Sequence, residues 1–123
     1  MVETATQSRS MPEAELDEAA LTPPPSEMAR NAAEAVCYLK TLAHEGRLMV
    51  LCHLGSGEKS VSELEELLGM RQAAVSQMLA RLREEDLVAT RRDGKIIYYR
   101  LADDNTREVI NLLYTVFCKT VET

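Results

Sequence analysis

Two histidines, three cysteines and no long apolar run set the first limits on this chain of 123 residues. No stretch approaches the ~20 apolar residues needed to span a bilayer. The N-terminus has no basic flank ahead of an apolar core, so a secretory leader is not expected. The expected compartment is therefore the cytosol, where thiols stay reduced. Cys37, Cys52 and Cys118 then form no structural disulfide framework; they are buried apolar residues, metal ligands or redox groups. His44 and His53 stand at the two ends of one expected helix and cannot share a metal from a single face. No divalent metal site and no cofactor are expected from them. The sequence also lacks a Gly-rich phosphate loop, a nucleophile elbow and a His–carboxylate set. An enzyme is not expected.

The net charge of −6 looks wrong for a nucleic-acid binder until its distribution is read. Residues 1–27 hold six acids and one arginine, while residues 71–100 hold seven basic and four acidic residues, a local excess of +3. Local basic surface counts for more in phosphate binding than whole-chain charge. Residues 1–25 are rich in Ala, Glu, Ser, Thr and Pro and are expected to form a disordered tail. Residues 26–123 are expected to form one folded domain.

Within that domain, Ser26 caps a helix to about Leu42 with Met28, Ala32, Ala35, Val36, Leu39 and Leu42 on its apolar face. A break at 43–45 leads to a second helix with Leu48, Leu51 and Cys52 on one side, ending at Gly55-Ser56-Gly57. The stretch from Val61 to Val88 organises the rest. Val61, Leu64, Leu67 and Leu68 lie at helical spacing, Ser62 or Ser60 can cap the start, Ser60 and Glu63 fitting a capping box, and Gly69 supplies a left-handed end. Val75, Met78, Leu79 and Leu82 give the next helix an apolar face. Gln72, Ser76, Gln77, Arg81 and Arg83 make its other side polar, with groups that bond base edges and phosphates. Two short helices about a Gly-containing turn are the helix-turn-helix pattern, the second helix being the reader.

After Asp86 the period becomes strand-like. Leu87–Arg92 and Lys95–Leu101 flank Asp93-Gly94, a hairpin signal, and Arg91, Arg92 and Lys95 at its tip suit flanking phosphates or the minor groove. A last helix follows the Asp103-Asp104-Asn105 cap region and carries Val109, Ile110, Leu112, Leu113, Val116 and Phe117. The expected fold is mainly α with a β-hairpin: a winged helix-turn-helix of order α-α-α-α-β-β-α. The first and last helices are too apolar for a small monomer to cover. A homodimer paired through them, reading an inverted-repeat operator in double-stranded DNA, is expected. The residues expected at DNA are Arg71, Gln72, Ser76, Gln77, Arg81, Arg91, Arg92 and Lys95.

The run Leu39-Lys40-Thr41-Leu42-Ala43-His44-Glu45-Gly46-Arg47-Leu48 resembles the opening motif of the ArsR/SmtB family of bacterial repressors. Gln72, Ser76, Gln77 and Leu79, and the wing ending Ile97-Tyr98-Tyr99-Arg100-Leu101, are similar to that family as well. The chain departs from it at Met78, where relatives often have His, and at Ala73, where many have Ser. The resemblance covers roughly residues 30–120 and implies a dimeric repressor that leaves DNA when an inducer binds. The metal-binding Cys-x-Cys of some relatives is absent from Glu58–Leu64. Cys52 and Cys118, in their local contexts, resemble the dithiol of the SqrR, BigR and HlyU subgroup. That resemblance implies that persulfides, polysulfides or oxidants join the two thiols and release the operator. Cys37 is then a bystander or a competing resolving thiol. Two alternatives stand beside this reading: a thiophilic metal or metalloid sensor using the same cysteines, and a winged-helix interaction module that binds no DNA.

Overall fold

A computed structural model describes residues 25–118. The expected tail falls almost wholly outside the described residues, as do residues 119–123. Eight elements follow in order: α1 (Pro25–Leu42), α2 (Glu45–Leu54), β1 (Lys59–Ser60), α3 (Val61–Leu68), α4 (Gln72–Glu84), β2 (Val88–Asp93), β3 (Ile96–Leu101) and α5 (Asp104–Phe117). The chain divides into two compact units, one running through Val36 and the other starting at Cys37. In the first, α1 opens with Pro25 at its first helical position, where a missing N–H costs nothing. Asn31 donates to the Glu27 carbonyl there at 3.2 Å.

The second unit carries the core. The α1–α2 break forms because His44 leaves the helix in an extended conformation and caps α2, accepting from the Arg47 N–H. Arg47 closes the same corner from the other side. Its guanidinium donates to the Thr41 carbonyl at 2.7 Å and the Lys40 carbonyl at 3.3 Å, covering end groups that α1 cannot satisfy itself. The α2 helix buries Val50, Leu51 and Leu54. This face differs from the expected Leu48–Leu51–Cys52 side, and Cys52 is exposed. The run Leu48-Met49-Val50-Leu51-Cys52 is apolar all round, so periodicity alone gives no face.

The helix-turn-helix pair has the expected ends. Ser60 and Glu63 form a reciprocal capping box, and Gly69 closes α3 at φ 66°. Leu64 is the fully buried residue of α3, whereas Leu67 lies exposed on its outer side. Val75, Met78, Leu79 and Leu82 of α4 are all buried. The α4 end is a Schellman motif without glycine. Asp86 adopts φ 60°, its N–H donates to Arg83 O at 3.0 Å, and Leu87 N–H donates to Leu82 O at 2.9 Å.

The sheet has three antiparallel strands in the order β1-β3-β2. The two-residue β1 was not expected; Lys59 and Ser60 pair with Tyr99 and Tyr98, and so short a strand leaves no alternation to read. The hairpin also turns one residue later than expected. Asp93 still pairs with Ile96, so the loop is Gly94-Lys95. Gly94 takes φ 67°, and positive φ at only the first loop residue is the type II′ pattern. Asp103 caps α5 by accepting from Thr106 N–H at 3.1 Å. Thr106 and Ile110 face inward, while Leu112 (61%), Val116 (57%) and Phe117 (75%) stay exposed.

Candidate nucleic-acid interface and thiol pair

The exposed face of α4 follows from its buried one. With Val75, Met78, Leu79 and Leu82 inward, helical geometry turns Ala73, Ser76, Gln77, Ala80 and Glu84 outward, flanked by Gln72 and Arg83, and all seven are exposed. Arg71 stands at the N-cap with no side-chain cap bond, and no acid occupies the first turn. The positive end of the helix is thus open to an anion.

Arg81 has partners within the protomer. It is partly buried and turned toward α1, with Nε 3.8 Å from Glu85 and Nη2 3.5 Å from the Thr41 hydroxyl. Thr41 is fully buried and donates back to the Cys37 carbonyl at 3.0 Å. Arg81 is thus engaged with Thr41 and Glu85, and Arg83 is the exposed arginine of α4. Among the described residues Arg83 forms no ion pair.

The register of the wing separates its cations. Directly paired residues share one face of a sheet. Thr90 pairs with Tyr99 and Arg92 with Ile97, so Arg92 shares the Tyr99 face. Arg91 pairs with Tyr98 on the opposite face. Its Nε donates to both Glu58 carboxylate oxygens, at 2.9 and 3.1 Å, and its guanidinium stacks 4.7 Å from the Tyr98 ring centroid. Hydrogen bonding to Arg91 holds the Glu58 carboxyl below the usual carboxylate range, and the same bond raises Arg91. Arg91 is thus committed to the loop ahead of β1, whereas Arg92 and Lys95, exposed as it is, form no ion pair among the described residues. Sequence reasoning did not find Glu58 as this partner, because only the fold brings the two positions together. Between α4 and the wing lies an open groove of about 410 Å³ lined by Ser76, Ala80, Arg83, Glu84 and Tyr99.

The three thiols occupy different surroundings. Cys52 and Cys118 are both exposed and unbridged, so neither is a buried packing residue of the protomer. Desolvation by neighbouring atoms raises the Cys52 pKa, and charge on Cys118 raises it further. Cys37 instead donates to Glu85 Oε1 at 3.2 Å, and that bond is the main cause raising its pKa. His44 is used as a helix cap. Among the described residues no three His, Cys, Asp or Glu side chains cluster as a metal site. No helix among them is long and apolar enough to cross a membrane.

A helix-turn-helix with an outward polar reading face, followed directly by a wing with exposed cations, defines a winged helix-turn-helix DNA-binding protein. The family model "Bacterial regulatory protein, arsR family" matches residues 44–90. The chain is 50% identical over 91 residues to the biofilm growth-associated repressor of Agrobacterium fabrum, covering 74% of this chain and 78% of that one. Its fold is similar to reduced HlyU from Vibrio cholerae, with TM-score 0.71 and 42% identity over 75% of this chain and 97% of that one. It is also similar to a homodimeric winged helix-turn-helix DNA-binding domain from Mycobacterium bovis, with TM-score 0.67 and 28% identity over 77% of this chain and 88% of that one. The chain belongs to the arsR family of bacterial transcription regulators.

Proposed function

We propose that this regulator is a homodimeric repressor whose hold on operator DNA is released when reactive sulfur species or oxidants link Cys52 to Cys118. The observation that carries this reading is the thiol arrangement. Two cysteines, one on α2 and one closing α5, are exposed and unbridged, and charge on Cys118 helps raise the Cys52 pKa, while the third is tied to Glu85. A similar protein is named a repressor, and another is named in a reduced form. The DNA contacts proposed are Arg71, Gln72, Ser76 and Gln77 on α4 with Arg92 and Lys95 on the wing. Arg81 and Arg91 serve by positioning α4 and the wing.

The chemistry balances with an organic trisulfide as co-reactant. The Cys52 thiolate attacks the central sulfur and expels one thiolate. The Cys118 thiolate attacks the same sulfur, expels the second thiolate and leaves a trisulfide bridge. Both cysteines are oxidised, and the reagent is reduced to two thiols. Peroxide gives the shorter bridge: Cys52 becomes a sulfenic acid with loss of water, and Cys118 condenses on it with loss of a second water. A bridge between α2 and α5 constrains the helix that carries the exposed Leu112, Val116 and Phe117, where a second copy is proposed to pack. Changing that packing alters the spacing of the two reading helices on an inverted repeat.

Anisotropy titration of operator DNA tests the proposal. Trisulfide treatment should weaken binding by the ~5–150-fold that a typical allosteric coupling supports, and Cys52→Ser or Cys118→Ser should abolish the response. An unchanged response in Cys52→Ser contradicts it.

A further inference from the structure

We propose that the groove between α4 and the wing is a seat for one DNA backbone phosphate, with Arg83 and the Tyr99 hydroxyl as its principal donors. The inference rests on the DNA-binding reading and adds a subsite to it. With a reading helix in the major groove and a wing in the neighbouring minor groove, the sugar-phosphate strand dividing the two grooves runs between helix and wing. In this chain that passage is the groove lined by Ser76, Ala80, Arg83, Glu84 and Tyr99.

The lining suits a phosphodiester. Arg83 offers a guanidinium unengaged by any acid among the described residues, and such a fork binds phosphate oxygens in paired geometry. The Ser76 hydroxyl adds a second donor, and the Ala80 methyl leaves room for a deoxyribose. Tyr99 is held in place by the sheet: it pairs with Thr90 on one side and Lys59 on the other, and it packs against the core. Its hydroxyl is therefore presented from a fixed strand. Arg92, on the same face of the wing as Tyr99, supplies a further cation along the strand's path. Glu84 carries like charge to a phosphate and disfavours a seat at its own end of the groove. The phosphate is thereby placed toward Arg83, Ser76 and Tyr99.

Phosphate contacts fix the register of a protein on DNA and carry no base preference. The test uses an operator duplex obtained by selection from random-sequence DNA with the full chain, followed by salt titration and phosphate-ethylation interference. Arg83→Gln should weaken binding on the order of tenfold, as loss of a charged hydrogen bond does. It should also lower the salt slope by about one contact and erase interference at a single backbone position in each half-site. Tyr99→Phe, which keeps the ring packing, should weaken binding at the same position with the base preference unchanged. Glu84→Gln should strengthen binding. Wild-type salt slope and interference pattern in Arg83→Gln would overturn the assignment, as would a changed base preference in Glu84→Gln, since the groove would then be reading a base edge. Failure of the wild-type chain to select any operator would instead strike at the DNA-binding reading itself.

Discussion

Asp86 holds a backbone conformation that glycine adopts at little cost and other residues adopt at a penalty. Asp86→Gly should therefore raise stability by about 0.5 kcal/mol or more, provided the Schellman bonds to Arg83 and Leu82 persist; urea denaturation would show it as a higher midpoint at unchanged slope. Gly69 gives the converse case. A Cβ there meets nothing within 4 Å, so Gly69→Ala carries only the conformational cost, about 1 kcal/mol. A much larger loss would mean that the helix-turn-helix corner is tighter than described. Among the thiols, burial and the neighbouring Cys118 favour the protonated form of Cys52. Its alkylation rate should thus climb with pH to a midpoint above that of an ordinary cysteine. Replacing Cys118 by Ser should bring that midpoint down, because one of the two causes is removed. An unchanged midpoint in Cys118→Ser would mean that the thiols do not sense each other.

The wing is fastened to the body through Glu58 and Arg91, and its behaviour should follow that contact. The bond lowers the Glu58 pKa, so the contact persists as pH falls through the usual carboxylate range and is lost only below it. Glu58→Gln should release Arg91 toward phosphate, tightening DNA binding and steepening the salt slope by about one contact. A weaker complex would show instead that the clamp is needed to aim the wing. Most of these elements are legible in the sequence. The capping box at Ser60, the glycine end at Gly69, the buried face of α4 and the polar cap region ahead of α5 are local signals that each element carries in its own sequence; that Asp103 is the capping residue within that region comes from the fold. The missing parts depend on distant pairing. The two-residue β1 exists only because Tyr98 and Tyr99 lie beside it. The one-residue shift of the hairpin loop follows from Asp93 pairing with Ile96. The diversion of Arg81 and Arg91 follows from partners forty and thirty-three residues away. A count of exposed-looking cations in the sequence contains none of that information; it places Arg83 on the polar face, but only the fold sets Tyr99 beside it in one groove.

For the whole molecule, Leu39 (59% exposed), Leu112, Val116 and Phe117 leave more apolar surface in water than scattered residues explain. A second copy is the occupant proposed, in line with the homodimeric relative in Mycobacterium bovis. Leu112→Glu with Val116→Glu should give a folded monomer by sedimentation equilibrium, with operator binding reduced at least tenfold because two half-sites are no longer held together. A double variant that remains dimeric would move the interface elsewhere. A bond between Cys52 and Cys118 is proposed to control DNA binding. Its most direct test follows operator anisotropy and intact mass on one sample during anaerobic titration with an organic trisulfide. DNA should be released in proportion to a crosslink mapped to Cys52 and Cys118, and dithiothreitol should restore binding. Full crosslinking with undiminished operator affinity would contradict it.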